Sequence, residues 1–110
     1  MSRYKEAIMY DIKNLGKLKQ LETHAPVATK AFWAFDQAAW AEGAISKKHK
    51  ELIAVAVALT IQCPYCIELH VGRAREAGAS EPEIAETVLA AAALRAGGAI
   101  THGTHAFKGV

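Results

Sequence analysis

Between Leu52 and Ile61 the chain reads Leu-Ile-Ala-Val-Ala-Val-Ala-Leu-Thr-Ile, a stretch with no charged residue and a single hydroxyl. A segment that is apolar on nearly every side must be covered on most of its surface, so the fold has to be built around it. Periodicity alone does not separate a buried helix from a buried strand here, because the Val/Ala alternation also suits a strand. The polar lead-in from Lys47 to Glu51 joins the run without a turn residue, Ser46 is a suitable N-cap, and alanine favours helix. These features predict a buried helix from Lys47 to Gln62.

The remaining segments also read as helices. Tyr4, Ala7, Ile8, Met9, Ile12 and Leu15 recur at helical spacing, which predicts a first helix over Ser2 to Leu15, ended by Gly16. A second opens near Pro26 and runs to about Glu42, with a stripe of Phe32, Phe35 and Trp40 that suits a core or subunit interface. The fourth begins around Cys63, with Pro64 in its first turn, and ends at Gly78. Ser80-Glu81-Pro82-Glu83 has the form of a capping box ahead of an Ala-rich fifth helix to Ala96, which Gly97-Gly98 should break or bend. Ala99 to Phe107 is expected to resume as a short helix. The expected fold is all-α, with five to six helices in a single domain over 1–110.

Hydrophobic residues make up 52% of the 110 residues and charged residues 22%, rich in apolar surface for so short a chain, so part of that surface is expected to meet another subunit. The interspersed charges (net +2) and the low aromatic content of 7% argue against a nucleic-acid partner. With no apolar signal region behind Met1 and no unbroken apolar run of about 18–20 residues, the expected location is cytoplasmic, with no membrane partner. Two cysteines three positions apart close too small a loop to staple a fold. In a cytoplasmic chain such a pair reads as redox or metal chemistry.

In Cys63-Pro64-Tyr65-Cys66 the first sulfur falls at a helix start, where unpaired amides and the helix dipole favour a thiolate, and the second lies one turn on. His70, four residues after Cys66, shares its helix face. If the third and fourth segments fold back at Gln62, Glu51 lies about 16 Å before the turn and His70 about 11 Å after it, at about 1.5 Å per residue. That order suggests a relay in which Glu51 orients His70, directly or through a water, and His70 helps to deprotonate Cys66.

Glu51, eleven residues, Cys63, two residues, Cys66, three residues, His70: this spacing resembles the signature of the AhpD-like alkylhydroperoxidases within the carboxymuconolactone decarboxylase family. The likeness extends over roughly Pro26 to Phe107, including Arg95-Ala-Gly-Gly-Ala99. It implies an all-helical homotrimer, or a homohexamer built from trimers. It implies that Cys66 is the peroxidatic thiol and Cys63 the resolving one, with Glu51 and His70 as the proton relay. It further implies hydroperoxide reduction with no bound cofactor or metal, the Cys63–Cys66 disulfide being reset by an external dithiol, a lipoyl group in better-known members. Some peroxidase members carry His immediately before the second Cys, where this chain has Tyr65. The longer ones have a second helical half missing here. The namesake decarboxylases generally lack the cysteine pair.

Other readings of the same residues are a glutaredoxin-like exchanger, since Cys-Pro-Tyr-Cys is also that family's tetrad, and a non-enzymatic redox-sensing module. A zinc site could draw on Cys63, Cys66, His70 and one of Glu51, His102 or His105, and buried thiols can simply pack. His24 and His49 read as surface residues. Trp33, Phe35 and Trp40 are assigned no function.

Overall fold

The apolar run is helical. A computed structural model describes residues 10–109, and among them there is no strand. The chain order is a 3-10 helix at Ile12–Leu18, then α1 (Lys19–His24), α2 (Pro26–Trp40), α3 (Lys47–Ile61), α4 (Pro64–Glu76), α5 (Glu81–His102) and a closing 3-10 turn at Gly103–Ala106. The strand alternative, and with it the strand-containing fold that a glutaredoxin-like exchanger would need, is therefore set aside.

Local chemistry explains most of the boundaries. Ser46 accepts a hydrogen bond from the His49 amide at 3.2 Å and starts α3. At α5 both halves of the capping box form: Ser80 Oγ accepts from the Glu83 amide at 3.2 Å and Glu83 Oε1 accepts from the Ser80 amide at 2.8 Å. Such a cap stabilises a helix by about 1 kcal/mol. Gly78, at φ +96°, takes the left-handed position after α4, and the Ala79 amide returns to the Ala74 carbonyl at 2.9 Å.

Two expected helix ends need correction. Of the helix expected over Ser2 to Leu15, residues 2–9 lie outside the described residues. The described part begins where Asp11 caps the Lys13 amide at 2.9 Å and runs through Gly16 instead of ending there. The glycine's helix penalty of about 1 kcal/mol is offset by docking, as Asn14 donates to the Tyr65 hydroxyl at 2.9 Å. Gly97-Gly98 likewise fail to break α5, which continues to His102. Contacts with α3 anchor the helix up to the glycines, where Ala91 is buried and Arg95 donates to the Thr60 carbonyl, and beyond them Thr101 Oγ1 donates to the Gly98 carbonyl at 3.2 Å within α5 itself.

α3 is the central element and packs against α4 and α5. It is not covered all round, as its composition led one to expect. Glu51, Ala54, Val55 and Ala58 form its buried face, whereas Ile53, Val57 and Ile61 on the other face are exposed. α4 and α5 reach only one side of it. The aromatic stripe of α2 is also open: Phe32 and Phe35 are exposed, and Trp33 and Trp40 are half-buried. Among the described residues the buried apolar side chains are Ala54, Val55, Ala58, Ala74 and Ala91, a core of small groups. The radius of gyration is 18.1 Å, against about 13 Å for a compact chain of this length.

α5 with its closing turn is long and apolar enough, by length and composition, to cross a membrane, contrary to the expectation from the lack of an unbroken apolar run. Its charged start and Arg95 are instead tied to α3, through the Lys48–Glu83 ion pair at 2.9 Å and the Arg95–Thr60 contact.

The Ser80 amide, then the Lys48 ammonium, hold the Glu83 carboxyl well below its ordinary 4.5, at about 2. A group whose folded value is depressed adds stability that is complete above its unfolded value and is lost as pH falls toward the folded one. Urea unfolding should therefore show the native chain losing more stability between pH 4.5 and 2 than Glu83→Gln. Equal losses would contradict the assignment.

Candidate active site

The turn between α3 and α4 creates the site. Gln62 sits in the left-handed region (φ 55°, ψ 53°), which costs a non-glycine residue about 1–2 kcal/mol. The next residue's amide returns to the Ala58 carbonyl at 3.1 Å, closing α3. Cys63 is thereby the N-cap of α4, and its sulfur accepts from the Cys66 amide at 3.3 Å. Pro64 follows in the first turn, where a missing amide is no loss. Cys66 lies one turn on, and the two sulfurs are paired as a disulfide with Cα atoms 5.3 Å apart.

The turn also lays α3 alongside α4 so that Glu51 meets His70. Glu51 Oε1 is 2.6 Å from His70 Nδ1, and the Glu51 side chain has no solvent exposure at all. A carboxylate taken out of water must be paired, and His70 supplies that pairing. The Lys47 ammonium lies 3.2 Å from Oε2, one helical turn back, as an ion pair whose direction is too poor for a hydrogen bond. With Nδ1 engaged by the carboxylate, Nε2 is the imidazole nitrogen left for chemistry.

His70 and Cys66 line one pocket of about 170 Å³, together with Trp40, Ala54, Val57, Ala58 and Ile61. Cys63 is not part of that lining. The two thiols thus have different surroundings: Cys63 at the helix start among backbone amides, Cys66 beside an imidazole in an apolar recess. Of the sequence-selected residues, Glu51 and His70 meet part-way along the α3–α4 pair, Cys66 shares the His70 pocket, and Cys63 stands at the turn where α4 begins.

His102 and His105 are not in that pocket. Their rings face each other at 5.9 Å at the exposed end of α5. Among the described residues no three His, Cys, Asp or Glu side chains converge to hold a metal ion. His24 and His49 are exposed.

Residues that carried no role in the sequence also gather here. Lys47 is the i, i+4 neighbour of Glu51, a spacing that could have flagged it. Trp40 places its indole against the His70 ring, centroids 5.0 Å apart, and its Nε1 donates to Asp36 Oδ1 at 3.0 Å, again across one turn. Tyr65, between the cysteines, stacks edge-on against Tyr10 and accepts from Asn14, so the start of the described chain is docked on the site helix.

Comparison with known proteins places this architecture. The model of the carboxymuconolactone decarboxylase family matches residues 26–109, from α2 through the closing turn. A protein described as uncharacterized protein 4 in the cox locus of Paracoccus denitrificans is 49% identical over 76 residues, covering 69% of this chain and 68% of its own. Among solved structures, a carboxymuconolactone decarboxylase family protein from Legionella pneumophila is 35% identical with a TM-score of 0.68, over 73% of this chain and 71% of that one. A protein from Methanobacterium thermoautotrophicum is 34% identical with a TM-score of 0.74, over 78% of this chain and 97% of that one.

Removing one partner of a buried pair leaves the other without compensation, a loss of about 3–5 kcal/mol. His70→Ala should fall near the lower end, because Lys47 remains close to Oε2. Urea melts should show this loss for His70→Ala and a smaller one for Glu51→Gln, which keeps a hydrogen-bonding group without the charge. A His70→Ala protein as stable as the native chain would contradict the pairing.

Proposed function

The chain belongs to the carboxymuconolactone decarboxylase family, and from that premise we propose that it is a thiol-dependent peroxidase of the AhpD-like alkylhydroperoxidase type. The observation that carries the reading is that Cys66 and His70 share one apolar pocket while His70 is held from behind by the buried Glu51.

In the reduced protein His70 Nε2 takes the Cys66 proton, and the imidazolium so formed is stabilised by the Glu51 carboxylate. The Cys66 thiolate attacks the terminal oxygen of a hydroperoxide. The O–O bond breaks, an alcohol leaves with the proton returned from His70, and Cys66 becomes a sulfenic acid. The Cys63 sulfur, one turn away and favoured as a thiolate by the helix start, attacks the sulfenic sulfur. Water is released and the Cys63–Cys66 disulfide forms. An external dithiol, a lipoyl group being one candidate donor, resets the pair by two thiol–disulfide exchanges and is itself oxidised. A reducing cytoplasm suits this cycle.

We also propose that the working form is a homotrimer or a multiple of it. The exposed apolar faces of α2, α3 and α5, and the small core of the single chain, support an assembled state. The family's decarboxylase chemistry is the weaker reading, since it gives the cysteine pair no task. A redox-sensing module without turnover is distinguished by experiment.

The reduced protein, mixed with tert-butyl hydroperoxide and excess dithiothreitol, should turn over continuously. Cys66→Ser should abolish activity. Cys63→Ser should lose the disulfide-forming cycle. His70→Ala should lose about a hundredfold in kcat/KM, as removal of a general base does, and Glu51→Gln about tenfold. Full activity in Cys66→Ser would refute the assignment, and oxidation that stops after one equivalent would favour a sensor. Sedimentation should give a mass of three chains or a multiple of three; a monomer would contradict the assembly.

A further inference from the structure

The pocket has one rigid wall. Trp40 is the last residue of α2, and its indole is pinned on both sides: Nε1 donates to Asp36 Oδ1 at 3.0 Å, and the ring lies against the His70 imidazole with centroids 5.0 Å apart. Rotating the indole away would break the first contact and open the second. The rest of the apolar lining comes from α3: Ala54 and Ala58, which are short and buried, and Val57 and Ile61, which are exposed. Trp40 is the bulkiest side chain of the lining, so the space beside the Cys66 sulfur depends most on where the indole stands.

The volume, about 170 Å³, is on the scale of the enclosed apolar cavity of about 150 Å³ that takes up benzene, and this recess is open to solvent, with Val57 and Ile61 of its lining exposed. Apart from His70, no ionisable side chain other than Cys66 itself lines it, so nothing there answers a charged headgroup. We propose that Trp40, pinned by Asp36, is the gauge of the Cys66 pocket: it keeps His70 in register and restricts the organic group that reaches the sulfur to a small, compact, neutral one. The gauge is a property of the pocket; only the identity of the organic group as part of a hydroperoxide rests on the peroxidase reading.

The test separates these two. In reduced protein carrying Cys63→Ser, Cys66 is alkylated with N-methylmaleimide and with N-phenylmaleimide, which share one electrophile and differ in bulk. Trp40→Ala should raise the phenyl-to-methyl rate ratio about tenfold, the scale on which an apolar pocket discriminates size. Trp40→Phe, which keeps a flat ring, should leave the ratio nearly unchanged. Asp36→Ala should shift it in the direction of Trp40→Ala, and Asp36→Asn, which keeps an acceptor, should restore it. Val57→Phe, placed at a half-exposed lining site on α3, should lower it, and gives an answer even if Trp40→Ala does not fold.

A ratio that is the same in native, Trp40→Ala and Val57→Phe backgrounds overturns the gauge. In parallel, with Cys63 intact, turnover of tert-butyl hydroperoxide against cumene hydroperoxide should shift toward the bulkier substrate in Trp40→Ala. If the maleimide ratio shifts but the native protein consumes neither hydroperoxide, the gauge stands and the peroxidase reading falls.

Discussion

A carboxylate with no exposed surface organises this fold. Glu51 lies in the one face of α3 that is buried, among Ala54, Val55 and Ala58, and it remains there because His70 of α4 meets it at 2.6 Å and the Lys47 ammonium stands 3.2 Å from its other oxygen. Unpaired, such a group would lose several kcal/mol, so the contact selects the register in which α3 and α4 pack. The alanines make that register possible, since small side chains let the two helices approach closely. The same register delivers Cys66 to the pocket that His70 lines and leaves Cys63 capping the helix. Stability and the proposed chemistry thus meet in one contact between two helices joined by a single left-handed turn at Gln62.

Much of this arrangement can be read from the residues, because it follows from local rules. Ser46, the Ser80–Glu83 box, Pro64 and Gly78 state their helix boundaries through hydrogen-bonding chemistry that operates within a few residues. The approach of Glu51 and His70 follows from similar lengths of helix on either side of the turn, with the difference bridged by the long glutamate side chain. Tertiary packing accounts for what was missed. Gly97 and Gly98 look like breakers, but α5 is anchored on α3 up to Arg95 and continues through them. Gly16 looks like a terminator, but the segment it interrupts is docked on Tyr65 through Asn14. Trp40 looks like one more core aromatic, and only the place where α2 ends against α4 turns it into a pocket wall.

The open apolar faces bear on function as well. Ile53, Val57 and Ile61 continue from the pocket wall onto the uncovered side of α3. A chain whose buried apolar side chains are nearly all alanine has little interior of its own, and the site lies at the border between that small interior and the exposed face. The proposed assembly would therefore change the surroundings of the pocket as well as the stability of the chain.

The central claim is that Cys66, served by His70 and Glu51, is the sulfur that meets the oxidant. Mass spectrometry of the reduced single-cysteine variants after one equivalent of hydroperoxide, with dimedone present to trap sulfenic acid, tests it most directly. The account predicts the adduct on Cys66 in Cys63→Ser, slowed by Glu51→Gln, and little on Cys63 in Cys66→Ser. Faster trapping on Cys63 than on Cys66 would contradict it.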